Sequence, residues 1–287
     1  WHHLFTPRQL LVNGQFFYEV VNAGHTESQV ACLLSSGRIT DFNSRLSRWV
    51  QAIGQEKTVN ALGNQALNTN FDYGSRGYRD LLLSADLGIV PYDTAHSSIE
   101  VTDARLVEAQ SNYWITDPPY ADAINYDQLS EFFLAWYEKH LLRLFPNWYA
   151  DSRRLLSVRG TDDSFRQAMV ECYRQLTTMM PNNGMQIVMF THQDAAVWAD
   201  LSQILWAAGL RVTAAWTIAT ETESALKKGN YVQGTVLLIL RKRDETAAPI
   251  FLDEVLPRVE SEVRRQLDSM TTLDDASDPN FGDADYQ

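Results

Sequence analysis

The amino-acid sequence predicts an α/β fold with a mostly parallel sheet, preceded by a helical segment. Three observations predict it. After Ser97 short apolar, β-branched runs alternate with amphipathic helical stretches. Before Ser97 the apolar residues recur at helical spacing or give way to stretches rich in Gly, Asn and Tyr. Finally, 45% of the 287 residues are hydrophobic, enough to bury a sizeable core in one large domain or a domain with an appendage.

The elements follow in order. Pro7 suits a first helical turn, Leu10, Leu11, Phe16, Phe17, Val20 and Val21 continue it, and Gly24 fits a stop. A second helix is expected over 27–49, with Ser35, Ser36 and Gly37 as its weak point. Residues 54–97 read as loops with a short helix. Residues 99–101 and 113–116 read as short strands, and 129–144 as a helix with Phe132, Phe133, Trp136, His140 and Leu144 toward one side. A helix over 164–180 is ended by Pro181-Asn182-Asn183-Gly184, and 185–191 is a strand. A helix over 195–208 is closed by Gly209, and strands 210–218 and 235–241 are joined by a polar segment. The expected division is a helical and irregular segment, 1–97, packing on an α/β region, 98–250, with a helix and an acidic, mobile tail in 251–287.

No run approaches the roughly 18 apolar residues of a membrane span, and no signal segment opens the chain, so a cytoplasmic protein is expected. The chain begins at Trp1 without a methionine and reads as a piece of a longer polypeptide or a processed chain. Cys32 and Cys172 are too far apart for a zinc ribbon, so no metal is expected and both read as buried apolar residues. The formal net charge of −12 argues at first sight against a nucleic-acid partner. Residues 251–287, however, hold ten acids against Arg258, Arg264 and Arg265. Basic clusters remain elsewhere, at Arg45/Arg48, Arg76/Arg79, Arg153/Arg154/Arg159, Lys227/Lys228 and Arg241/Lys242/Arg243, and permit phosphate contacts.

The most informative residues are Asp117-Pro118-Pro119-Tyr120, directly after the strand 113–116, at the carboxyl edge where α/β sheets hold their ligands. A rigid polar turn would use the same residues, yet together they suit one chemistry. An exocyclic amino nitrogen on a nucleobase is a poor nucleophile because its lone pair is delocalised, and acceptors aimed at its two N–H bonds favour the tetrahedral form that attacks. The Asp117 carboxylate can accept one N–H and the Pro118 carbonyl the other. Proline offers no competing donor, and the residue before each proline is kept out of the helical region, so both acceptors stay fixed in direction. Tyr120 supplies a flat face, and such a pocket works only on an extruded or unpaired base.

With this motif the sequence resembles the amino-methyltransferases that act on adenine N6 or cytosine N4. More closely, Thr116–Tyr120 with Ile124, Tyr126, Leu129-Ser130 and Phe132-Phe133 through Trp136 resembles the large adenine-specific DNA methylases that carry a zinc ribbon, often encoded near phage-defence genes. Phe5 to Leu10, Asn43 to Trp49, Gln65-Ala66-Leu67 and Phe71-Asp72-Tyr73 upstream, and Trp216-Thr217-Ile218 with Glu221 and Arg241-Lys242-Arg243 downstream, are also similar. The resemblance implies a Rossmann-like class I methyltransferase sheet, S-adenosylmethionine as cofactor, and DNA with a flipped adenine as substrate. It implies that Asp117, Pro118, Pro119 and Tyr120 are catalytic, that Tyr126 joins Tyr120 against the base, and that Thr102, Asp103 and Ala104 lie near the cofactor. Asp103 reads equally as a turn former. His192 reads as a cleft residue or a satisfied structural histidine.

Two departures matter. The zinc-ribbon cysteines are absent, and no glycine cluster follows any strand, although a backbone must approach the methionine part of the cofactor closely. The sheet is therefore expected to be incomplete in this chain, with strand 113–116 an edge completed by an upstream segment or a partner chain carrying the glycine-rich loop. Two further readings remain open: an RNA or protein-amide methyltransferase, and a non-catalytic subunit of a defence complex.

Overall fold

The computed structural model describes residues 1–22, 24–52, 55–61, 97–119, 126–149, 151–152, 156–158, 163–219, 234–244 and 251–273. The chain divides into two compact units, residues 1–102 with 125–157 and residues 103–124 with 158–287.

The first unit holds helices α1 (Pro7–Asn22), α2 (Thr26–Phe42) and α3 (Tyr126–Leu144), and a hairpin of β1 (Arg48–Ala52) and β2 (Gln55–Val59). A reciprocal cap starts α1: the Gln9 N–H donates to Thr6 Oγ1 (3.2 Å) and the Thr6 N–H to Gln9 Oε1 (2.9 Å). The expected weak point of α2 is continuous helix, in which the Ser35 and Ser36 hydroxyls donate to Ala31 O and Cys32 O. Gly37 is needed for packing, since a Cβ there would collide with the Tyr137 hydroxyl. Burial pushes that phenol up to about 12.

Helix α2 ends at Phe42 and does not reach residue 49. Ser44 and Ser47 turn the chain through their side chains, the Ser44 N–H donating to Ser47 Oγ (3.0 Å), and β1 begins at Arg48. The expectation of loops from residue 54 is corrected in the same place, because residues 55–59 pair antiparallel with β1. The short helix expected further on falls among residues 62–96, outside the described residues.

Helix α3 starts three residues earlier than the periodicity predicts and belongs with the first unit, where the sequence had grouped it with the α/β region. Its aromatic side explains why. Phe132 stacks on Phe5 (5.7 Å between ring centres), and Trp136 and His140 stack on Phe17 (5.1 and 5.9 Å).

The second unit is α/β, with a four-stranded mixed sheet of β3 (Tyr113–Thr116), β4 (Met185–Phe190), β5 (Leu210–Ala219) and β6 (Gly234–Lys242) in the order β3-β4-β6-β5. Strands β3, β4 and β5 run in one direction and β6, antiparallel to both β4 and β5, runs against them, so the sheet is mixed, with three of its four strands in the common direction. Apolar runs reveal strands but not their direction, and β6 returns beside β5 where a helical crossover would have kept it parallel.

Helices α4 (Asp163–Thr178) and α5 (Ala195–Ala207) cover one face of this sheet. Phe165, Met169, Tyr173 and Leu176 recur along one side of α4 and meet Val188 and Phe190 of β4, Leu238 and Leu240 of β6, and Leu201 and Leu205 of α5. Asp194 caps α5 by accepting the Ala196 N–H (2.8 Å), and Gly209 ends it with φ +84°, a conformation favouring glycine.

Residues 99–101, expected as a strand, are irregular and Ile99 is exposed, because no described strand pairs with them. A single 3-10 turn, Ala104–Leu106, follows. The last described element is α6 (Leu252–Leu273). Among the described residues no helix is long and apolar enough to cross a membrane.

Candidate functional site at the carboxyl edge of the sheet

Because β3 and β4 are parallel, with Thr116 opposite Val188, the segments that leave them emerge on the same edge. One is Asp117-Pro118-Pro119 and the other is Thr191-His192. Asp117 is exposed, Pro118 is buried and Pro119 is half-buried, so the loop is anchored by its first proline. Tyr120 lies outside the described residues.

The strand end beneath Asp117 is held from below. Thr116 Oγ1 and the Tyr173 hydroxyl are hydrogen-bonded at 3.2 Å, tying β3 to α4. Tyr173 is 3% exposed, and burial holds its phenol far above the ordinary range; the bond from Thr116 lowers it, while the charges of Cys172 and Asp117 raise it further. The phenol therefore stays protonated, and its coupling to Asp117 places the carboxylate within electrostatic reach.

On the neighbouring segment His192 is built into the turn that starts α5. Its Nδ1 accepts the Asp194 N–H (2.9 Å), its carbonyl accepts the Trp198 indole N–H (2.9 Å), and its ring stacks on Phe190. With Nδ1 an acceptor, the neutral ring carries its proton on Nε2. This is the structural role the sequence left open for it. Beside it, the buried Thr191 hydroxyl has no hydrogen-bond partner among the described residues.

The other anticipated residues are dispersed. Asp103 is the turn former: it accepts the Arg105 N–H (2.9 Å), and both its oxygens bind the Arg105 side chain, at 2.9 Å to Nε and 2.6 Å to Nη2. Arg105 accordingly holds its carboxyl below the usual range. Thr102 and Ala104 on either side are exposed, and the boundary between the units falls between Thr102 and Asp103. Tyr126 is half-exposed at the start of α3, in the first unit. No described strand is followed by a glycine cluster, and with Asp103 engaged the described residues do not by themselves form a cradle for S-adenosylmethionine.

Part of the basic surface is already in use. Arg241 donates to the carbonyls of Asn183 and Gly184, and the Arg243 guanidinium lies 4.4 Å from the centre of the Trp206 ring. The clusters at Arg76/Arg79, Arg153/Arg154/Arg159 and Lys227/Lys228 lie outside the described residues.

Sequence reasoning missed Tyr173 and Thr191. A signal for Tyr173 was present, since a phenol in the apolar stripe Phe165, Met169, Tyr173, Leu176 must find a partner when buried. Comparison with known proteins found no matching family model, no matching curated protein and no matching solved structure.

Proposed function

We propose that this chain carries the target-base loop of an S-adenosylmethionine-dependent methyltransferase acting on adenine N6 in DNA, in the cytoplasm and in the setting of phage defence or restriction-modification. One observation carries the reading: Asp117-Pro118-Pro119 leaves β3 at the carboxyl edge with Asp117 exposed and its first proline buried. In this reading Asp117 and the Pro118 carbonyl accept the two N–H bonds of an extruded adenine, and Tyr120 stacks on the base. A mixed sheet with β6 lodged between β4 and β5 is compatible with the C-terminal half of a Rossmann-like methyltransferase sheet.

S-adenosylmethionine supplies the methyl group. The glycine-rich loop that holds it comes from another segment of the same protein or from a partner chain. In support of this, β3 has a hydrogen-bonded neighbour on one side only among the described residues.

The test is transfer of labelled methyl groups to DNA, RNA and protein in parallel, with the complete protein. Asp117→Ala is expected to abolish transfer to DNA while leaving fold and DNA affinity nearly intact. Appreciable residual activity would sink the role of Asp117, and transfer to RNA or protein alone would move the substrate to that class. The lack of a cofactor cradle among the described residues favours a second reading, a non-catalytic subunit of a defence complex. Calorimetry with S-adenosylmethionine on this chain alone and on the complete protein separates the two: binding only to the complete protein supports a segment of the enzyme, and binding to neither supports the subunit.

A further inference from the structure

The stripe that α4 lays on the sheet is Phe165, Met169, Tyr173 and Leu176, and Tyr173 is its polar member. A phenylalanine would bury the same ring with no hydroxyl to satisfy, so the phenol calls for an explanation. Its hydroxyl meets Thr116 Oγ1 at 3.2 Å inside the core. The turn of α4 that carries it is itself pinned. Thr177 Oγ1 donates to Tyr173 O (2.7 Å), and Gln175 Nε2 donates to Val107 O (2.6 Å).

Thr116 is the last residue of β3, and Asp117 is the next. Strand β3 has four residues and, among the described residues, a hydrogen-bonded neighbour on one side only, so its end frays unless something else ties it. The bond to Tyr173 restricts the β-branched Thr116 side chain to one rotamer. On the other side of Asp117, Pro118 is buried and keeps the aspartate backbone extended. The backbone that carries the carboxylate is therefore set from both directions. The phenol is held protonated chiefly by burial, and the charge of Asp117 adds to that effect, which places the two groups close together.

We propose that Tyr173 is a positioning residue for Asp117, acting through the hydroxyl of Thr116. The inference rests on the reading of Asp117 as an acceptor for the target amino group, and it names what holds that acceptor in place. An acceptor aimed at an N–H bond must keep both its distance and its direction, and a displacement of about 1 Å costs on the order of a hundredfold in rate. Buried beneath the strand, Tyr173 contributes geometry and takes no part in the chemical step.

Methyl transfer by the complete protein is measured for Tyr173→Phe, Thr116→Val and the two combined. Each single change is expected to lower kcat on the order of tenfold with KM for DNA within about twofold of the parent. The combination should be no slower than either alone, because all three remove the same bond. Thr116→Ser keeps the hydroxyl and should recover most of what Thr116→Val loses. Leu176→Val alters the same side of α4 without removing a hydrogen bond, and should leave kcat as in the parent. A second measurement needs no methyl transfer. The isotope-labelled carboxyl carbon of Asp117, assigned by its loss in Asp117→Asn, should shift by NMR in Tyr173→Phe and Thr116→Val and stay in place in Leu176→Val. An unmoved Asp117 signal overturns the proposal, as does a kcat unchanged by Tyr173→Phe or lowered equally by Leu176→Val. A shifted signal in a protein that transfers no methyl group supports the positioning of Asp117 and overturns the methyl-transfer reading instead.

Discussion

The two faces of the four-stranded sheet are alike in composition and opposite in environment. Along β4, Gln186, Val188 and Phe190 point to one face and are buried, Val188 at 0% exposure; Met185, Ile187 and Met189 point to the other and are only partly buried. Strand β3 divides in the same way, with Trp114 and Thr116 toward the helices and Tyr113 and Ile115 exposed. Alternation in a strand states that a face requires cover but says nothing of which element provides it. On one face α4 and α5 provide it from the same chain, so stability resides there. On the other face the margins are open, Ile115 and Trp216 being exposed, while Ile239 on the inner strand β6 is buried.

The most direct way to break this comparison is to delete equal side-chain volume on each face. Leu240→Ala removes a fully buried side chain from β6 and is expected to cost about 2–5 kcal/mol, the range for large-to-small changes in a packed core. Ile115→Ala on the open face is expected to cost less than about 1 kcal/mol, because little contact is lost. Urea unfolding in dilute solution measures both. Equal costs would mean that the open face is packed as tightly as the covered one.

What was legible in the sequence follows the same divide between local and long-range information. Helices α1, α4 and α5 and strands β3 to β6 were readable because capping residues, stripes and apolar runs are local; Asp194, Gly209 and the side of α4 bearing Phe165 and Met169 are examples. Strand β1 was not, since Arg48-Trp49-Val50 carries no sign that a partner follows at residues 55–59. Residues 99–101 failed in the opposite sense, having strand-like residues but no described neighbour. The direction of β6 and the allegiance of α3 also depend on distant contacts. At the candidate site Asp117-Pro118-Pro119 was legible as a motif. The support from Tyr173 was not, because it joins residues 57 apart.

That support allows a finer probe of the covered face. Tyr173→Phe keeps the ring in the core and removes the hydroxyl bonded to Thr116. The expected loss is about 0.5–1.5 kcal/mol, the usual worth of a neutral hydrogen bond, with an unchanged denaturant slope. A loss far beyond that would mean that the phenol organises more than the strand end. No loss would mean that β3 is held by packing through Trp114 alone.

An effect of similar size, separable by its pH dependence, lies at the margin of the covered face, where Asp103 and Arg105 pin the segment leading to Val107, whose carbonyl accepts the Gln175 side-chain amide (2.6 Å). The Asp103 carboxyl is held below its ordinary value of 3.8, first by the hydrogen bond from Arg105, with burial acting the other way. A carboxyl lowered in the folded state binds protons more readily when unfolded, so its contribution is present above pH 3.8 and is lost as the pH falls toward the folded value. The pair is largely shielded, with the side chains 14% and 27% exposed, and a contribution on the order of 1 kcal/mol is expected. Asp103→Asn should therefore be less stable than the parent chain at neutral pH, and the two should converge as the solution is acidified below 3.8. A difference that persists in acid would remove the charge of Asp103 from the account, and it could not come from the cap on the 3-10 turn either, which asparagine and protonated aspartate supply alike.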